Sequence, residues 1–415
     1  MTMSLVVPRW TLILASSLML LSSVGWSNTP TNTPTNTPPG PTSTPTPTPF
    51  CGEIFTIAGN GTAGPTGDGG PAVSAELWDP AGMCFDSSGN LYIADLLNDK
   101  IRMVSASTGF ISTVAGNGTA AYNGDGISAA TAELNIPSLV TMDNAGNLVI
   151  ADFGNNRIRK VTGGIISTIV GNGTAGFTGD GGLATSAEIT GPEGMVYDAS
   201  GNLYFADNTN NRIREVFASS GNITTVAGTG TAGYNGDGIQ ANAAELSGPG
   251  GLALDTSGDL YFTDDGNNRV REIVLSTGII STVAGNGTAA FLGDNGQATL
   301  AEINSPTGIG LDAYGNLYFT DKGNNRIRKV DLSTGIITTI AGNGTSTFAG
   351  DYGAATSAQL NAYGICLDSS GNVYDADNNN SRVRKVVICQ PTPTPTRTPT
   401  STFTRTGTTA PSSTF

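Results

Sequence analysis

Six aspartates recur at a near-constant interval: Asp95, Asp152, Asp207, Asp264, Asp321 and Asp377, spaced 57, 55, 57, 57 and 56 residues apart. Each is followed by a base at the start of the next short segment, as in Asp207 with Arg212, Asp264 with Arg269 and Asp321 with Arg326, while Lys100 stands there in the first copy. A carboxylate closing one strand and a base opening the next suit a cross-strand pair. A catalytic group is needed once and not six times, so these pairs are expected to be structural. A second set of acids lies in Gly-Asp-Gly loops: Asp68, Asp125, Asp180 and Asp237, with partial matches at Asp294 and Asp351. Six acids in a ring would suit calcium, but neither the EF-hand spacing nor that of the glycine-rich calcium roll is present. Loop capping, with each Asp accepting backbone N–H groups, is the favoured reading. No cofactor is therefore expected, and calcium is the one ion left open. The same loops carry Tyr122, Phe177, Tyr234, Phe291 and Phe348, with Pro65 in the first copy, each expected to pack on its own loop. Asn-Gly-Thr at 60, 117, 172, 286 and 343 fits both an N-glycosylation pattern and a repeated turn. Histidine is absent, which excludes His-ligated zinc, Ser-His-Asp and Cys-His chemistry and imidazole bases.

A period this long, repeated six times, is the signature of a solenoid or propeller. Each unit reads as four short strands, such as 251–255, 260–263, 326–330 and 336–340 in successive registers of the repeat. β-branched and aromatic residues fill them, and Gly, Asn and Asp punctuate them. Four antiparallel strands per unit and six units give an all-β fold, a six-bladed β-propeller of four-stranded antiparallel blades. A β-helix is the alternative, but its rungs are shorter. After each fourth strand a Gly-rich connection ends in what reads as one helical turn, with Thr185 and Glu188, and Thr299 and Glu302, at capping-box spacing. Pro80, Pro137, Pro192, Pro249 and Pro306 then set the chain extended.

The repeat region opens with a fourth strand, 53–58, and ends with a third strand, 381–388. Pairing them completes the last blade with the N-terminal strand and removes two raw edges. Aligned on neighbouring copies, Cys51 and Cys389 fall at the two cut ends of the hairpin turn of that blade, so a disulfide between them is expected in an oxidising compartment. Cys84 and Cys366 occupy one small position on the first strands of blades one and six and are expected to be free core thiols, with a second bond between neighbouring inner strands as the alternative.

Residues 1–27 have a base at Arg9, an apolar run at 10–21 and small residues at Gly25 and Ser27, the pattern of a secretory signal. Residues 28–50 and 390–415 are Thr/Pro-rich and poor in apolar side chains, and are expected to be disordered spacers flanking the propeller at 51–389. Of 19 bases, Arg9, Arg397 and Arg405 lie outside the propeller, leaving 16 against all 33 acids, a balance of −17. That balance argues against nucleic acid and anionic lipid as partners. With no further apolar stretch long enough to span a bilayer, a secreted or cell-surface protein is expected, as a monomer.

The pattern Gly-Asn-Leu-Tyr-Phe-Ala-Asp-Asn-Thr-Asn-Asn-Arg-Ile-Arg at 201–214, with Pro-x-Gly before the first strand, resembles the NHL repeat across all six units. The resemblance implies an interaction platform, and the Gly-Asp-Gly insertion is similar to that of bacterial exported members. The His that names the family falls where this chain has Asn156, Asn211, Asn268 and Asn325. Lyases of this shape depend on His in their central sites, so its absence speaks against them. Calcium-dependent lactonases of related shape use acids and Asn, which keeps a metal-dependent hydrolase as the alternative, and a purely structural surface protein as a third. On a pseudo-symmetric ring, a binding site is best sought where copies disagree. In the loop leading into the first strand the odd residues are Trp78, Asp79, Glu193 and Tyr363, and these form the candidate site for a protein or glycan ligand, with Trp78 and Tyr363 expected to share a patch.

Overall fold

The computed structural model describes residues 49–389; the expected signal segment and most of both Thr/Pro-rich spacers lie outside the described residues. Six antiparallel sheets are present, three of four strands and three of five. In the third blade the strands are Pro192–Tyr197, Leu203–Asp207, Arg212–Val216 and Ile223–Ala227, running outward from the axis as a meander. Apolar side chains at alternating positions fill the layers between neighbouring blades. The six blades form a β-propeller.

Ring closure follows the expected route. The fourth strand of the last blade is Glu53–Ala58, paired with Arg382–Val386 through Ile54 opposite Val386 and Phe55 opposite Lys385. Cys51 and Cys389 are bonded across this seam, with Cα atoms 5.1 Å apart. Cys84 and Cys366 are free, and burial pushes both thiols up from their usual range.

The Gly-rich connections do more than link blades. Each leaves the fourth strand of one blade and lies along the outer edge of the next. There it adds a two-residue strand in blades two, four and six (Ile127–Ser128, Ile239–Gln240 and Gly353–Ala354) and a single bridge in the others, such as Leu183 with Asn222. Outer edges that would otherwise present unpaired backbone are covered in this way. The turn that follows is a three-residue 3-10 turn, Ala184–Ser186 or Ala298–Leu300, with no side-chain cap. The capping boxes expected from Thr185 and Glu188, and from Thr299 and Glu302, are not made. The residue before each turn is held on the edge bridge, which places the threonine inside the turn.

The repeated aspartates are fully buried, and their partner differs from the expected one. Asp207 stands opposite Arg212 in the ladder, yet it is Arg214 whose Nη1 donates to Asp207 Oδ2, at 3.1 Å. The same holds for Asp264 with Arg271 rather than Arg269, and for Asp321 with Arg328 rather than Arg326. Arg214 Nη2 also reaches the loop acid Asp180, at 2.8 Å. In every blade a wholly buried arginine thus bridges the strand aspartate and a Gly-Asp-Gly aspartate, so the loop acids bind guanidinium groups. The outer arginine instead donates to backbone carbonyls, as Arg212 does to those of Asn210 and Thr229. It lies under the loop aromatic: the guanidinium carbons of Arg212 and Arg214 are 3.5 and 4.6 Å from the Phe177 ring centre. The loop aromatics therefore pack on arginine pairs, not on their own turns. Pro65 and Lys100, the two departures of the first blade, stand at the two positions that make this contact in the other blades.

The Asn-Gly-Thr asparagines serve the turn: Asn172 Nδ2 donates to Ser186 O, and Asn172 Oδ1 accepts from Thr174 N. Positions 156, 211, 268 and 325 are left-handed, with φ of 51–53°, a conformation asparagine tolerates well. Asn211 Oδ1 accepts from Gly248 N of the next blade, and Asn268 Oδ1 from Ser305 N, tying successive blades together.

One buried acid breaks the pattern. Asp375 takes the place held by Phe205, Phe262 and Phe319 in other blades and is fully buried; the Tyr363 N–H is turned toward it but falls short of a well-formed hydrogen bond to either oxygen. Burial, then the nearby Asp377, raises its pKa well above 3.8. A carboxyl raised in this way stabilises the fold most below its unfolded value, and that stability is lost as pH rises through the folded value.

Three outcomes are expected. Replacing Cys51 and Cys389 by serine should lower stability by up to about 5 kcal/mol, because the bond closes a loop of more than 300 residues; urea melts with and without reductant measure this. Arg271→Met should lose about 3–5 kcal/mol by leaving Asp264 buried alone, and Arg271→Met/Asp264→Leu should recover much of that loss. Asp375→Phe should raise the melting temperature, by more at alkaline than at acid pH; an equal shift at both would refute the titration.

Candidate functional site

The second residue of each first strand rings the mouth of the central channel: Ala81, Ser138, Glu193, Gly250, Thr307 and Tyr363. Below them sit Gly82, Gly194, Gly251, Gly308 and Gly364, and in the second blade Leu139. A side chain at Gly308 would come within 2.6 Å of Ile365 N, and one at Gly82 within 2.6 Å of Leu139 Cα. Glycine is required here by close approach of the first strands. At this layer the axis narrows to a cup of about 40 Å³, lined by Glu193, Tyr363, Thr307, Ser138, Leu139 and the glycines, and further along the same strands line a second cavity of about 310 Å³, among Met83, Val140, Met195, Leu252, Ile309 and Ile365. Side chains bind the rim together where no backbone ladder exists: Ser138 Oγ donates to Pro192 O, Thr263 Oγ1 to Thr307 O, and Thr320 Oγ1 to Tyr363 O.

Glu193 accepts from Asn208 Nδ2 at 3.2 Å, and Asn208 also donates to Pro249 O. Burial, reinforced by the charge of Asp265, pushes the Glu193 carboxyl up to about 7, and Lys322 opposes the shift. Asp265 is raised from its usual range, again chiefly by burial. Lys322 Nζ lies 4.6 Å from the centre of the Tyr363 ring. The Tyr363 hydroxyl is pushed up by burial and by the negative field of Glu193, Asp265 and Asp79. Asp79, left-handed at φ 51°, is itself raised by burial.

The candidate residues are thus brought together in part. Glu193 and Tyr363 line one cup, and Asp79 acts on Tyr363 through its field. Trp78 does not join them by ring contact. Its backbone N–H is spent on Asp95 Oδ1, and its ring is 44% exposed on the rim beside the cup. Among the described residues Trp78 and Tyr363 form no ring pair, and Tyr363 has Lys322 over its ring. Asn208, Asp265 and Lys322 were not singled out from the sequence. They occupy the position just after the repeated aspartate, where the other copies have Leu96, Phe153 and Asn378. That position varies as widely as the lead-in loop, and the same search for disagreement between copies would have found them. Among the described residues, no group of three or more Cys, Asp or Glu side chains is placed to hold a metal ion.

The teneurin NHL domain family matches residues 287–349. Among curated relatives, the chain is 28% identical over 270 residues to the chloroplastic protein Suppressor of quenching 1 of Arabidopsis thaliana, covering 62% of this chain and 25% of that one. It is 28% identical over 261 residues to teneurin-3 of Mus musculus (57% of this chain, 9% of that one) and 26% identical over 268 residues to NHL repeat-containing protein 2 of Homo sapiens (57% and 37%). It therefore spans much less than the full length of each. Among solved structures, an auxiliary nutrient binding protein from Bacteroides thetaiotaomicron shares the fold with TM-score 0.58 at 17% identity, covering 80% of this chain and 75% of that one. A gluconolactonase from Xanthomonas campestris does so with TM-score 0.52 at 13% identity, covering 81% and 89%. The repeat read in the sequence, its blade geometry and these relatives agree: the chain is a six-bladed β-propeller and is similar to NHL-repeat proteins.

Proposed function

We propose that the protein is an exported, non-catalytic binding module whose channel-mouth face receives a protein or glycan ligand. The observation that carries this reading is the cup itself. Glu193 lines it without an ion-pair partner, beside the Tyr363 ring that Lys322 covers and within the field of the unpaired Asp79 and Asp265, while every strand aspartate of the repeat has an arginine. Unpaired acids held partly out of water serve no purpose for stability, and such groups concentrate at functional sites. The Cys51–Cys389 bond supports an oxidising compartment, in keeping with the signal pattern at 1–27. The fold shared with a nutrient-binding protein is compatible with a ligand at this face.

A metal-dependent hydrolase fits less well, because the loop aspartates are committed to arginines. Glycan and protein arrays probed with the wild type and with Glu193→Ala/Tyr363→Ala test the reading. A ligand bound by the wild type and lost, by about a hundredfold or more, from the double variant is expected, given two buried polar contacts. Binding that survives the double variant would move the site elsewhere. Blank arrays would favour a structural role, and a calcium-dependent rise in melting temperature would favour the hydrolase.

A further inference from the structure

The cup constrains what can enter it. About 40 Å³ is room for roughly three water-sized groups, so no sugar ring or aromatic side chain fits below the rim. Leu139 and the close approach of the first strands narrow the axis beneath it, so a ligand inserts only a tip while its body stays on the rim. The chemistry of that tip is set by what faces it. Glu193 offers a carboxylate, held by Asn208; Asp265, which accepts from Ser305, adds its negative field; the Tyr363 ring offers its negative face. None of these acids makes an ion pair among the described residues. Lys322 comes nearest to neutralising them, yet its ammonium lies over the ring rather than on either carboxylate. The chain thereby shows that an ammonium group is accommodated at this ring, and it leaves an excess of negative charge beside it.

We propose that the mouth receives one primary ammonium group, held by Glu193 and Asp265 against the face of Tyr363. This rests on the reading of the mouth as a binding face. A primary ammonium is compact, carries three donors and suits both carboxylates and an aromatic face. A guanidinium, planar and five-donor, needs a wider opening. Because the ammonium adds positive charge beside Glu193, binding pulls the Glu193 proton off. Affinity therefore rises with pH across about 7; the charged groups whose field Glu193 feels are Asp265 and Lys322, and Asp79 and Tyr363 stand beside them.

Calorimetric titration of the full chain with n-butylammonium and with n-butanol, its neutral analogue, tests this. Glucosamine and N-acetylglucosamine, run in parallel, tell whether the amine is accepted on a sugar or only on an alkyl chain. The amine is expected to bind and the alcohol not, with affinity rising as pH passes about 7. Glu193→Gln and Asp265→Asn should each weaken it about tenfold, the worth of one charged hydrogen bond, with melting temperature confirming the fold. Lys322→Met should tighten it several-fold by clearing the ring. Equal binding of butanol, or an unchanged Glu193→Gln, would overturn the proposal. Should an array ligand still depend on Glu193 and Tyr363 while neither amine binds, the ammonium is wrong and the binding face stands. Should neither exist, both fall.

Discussion

The structure depends on a buried arginine held between two aspartates, made once in every blade. The side chain is wholly buried, and an arginine left alone there would cost several kcal/mol. Its strand aspartate also accepts the backbone N–H of the lead-in loop, as Asp207 does from Thr190, and a side-chain N–H from the turn, as from Asn210. Its loop aspartate pins the connection that covers the outer edge. A single charged cluster thus fixes the first strand, the turn after the second, the third strand and the outer padding of one blade. Removing any member leaves the others desolvated without a partner, so the cluster is more a condition of the blade geometry than a source of stability.

That geometry also decides where function can reside. Blades clamped at this spacing bring their first strands close enough that only glycine fits at five of six axial positions, and the sixth is filled by Leu139. The channel is therefore pinched at this layer, between the cup at the mouth and the wider cavity of about 310 Å³ beyond it. On the mouth face the side chains that do not stitch one blade to the next are those free to meet a ligand. Ser138, Thr263, Thr307 and Thr320 are occupied with neighbouring carbonyls. Asp265 accepts from Ser305 of the next blade, whereas Glu193, bonded to Asn208 of its own blade, and Lys322 do not stitch blades together.

Much of this was legible in the sequence, for reasons that also mark where legibility ended. The period fixed the number of blades, and the offset of the repeat fixed the closing strand, because each follows from chain order alone. The disulfide followed from placing two cysteines at one cut turn. Which arginine meets the aspartate did not follow. Arg212 and Arg214 lie two residues apart on one face of a strand, so alternation treats them alike; depth within the blade separates them, and depth is a tertiary property. The capping boxes failed for a similar reason, since an edge bridge formed with residues some forty positions away overrode a local pattern. Asp265 and Lys322 were invisible to a search confined to the lead-in loop, although they come from a position that varies just as much.

The departures from the repeat are not spread evenly. The sixth blade lacks one residue in its lead-in loop: Asn361 N reaches Asp377 across 16 residues where the other blades use 17. It has Ala362 in place of proline, Tyr363 on the rim, and Asp375 in place of an aromatic. Its strand ion pair, Arg384 with Asp377, is the longest of the six at 3.6 Å. This is also the blade assembled from both ends of the propeller and tied by the disulfide. A blade with a covalent clasp tolerates an unsatisfied carboxyl and a stretched ion pair that would threaten an unclasped one, since the clasp limits how far its strands can separate on local opening. Tyr363, which supplies the aromatic face of the cup, therefore sits on the blade best able to accept a residue chosen for something other than stability, and the coincidence of seam, clasp and rim follows from that.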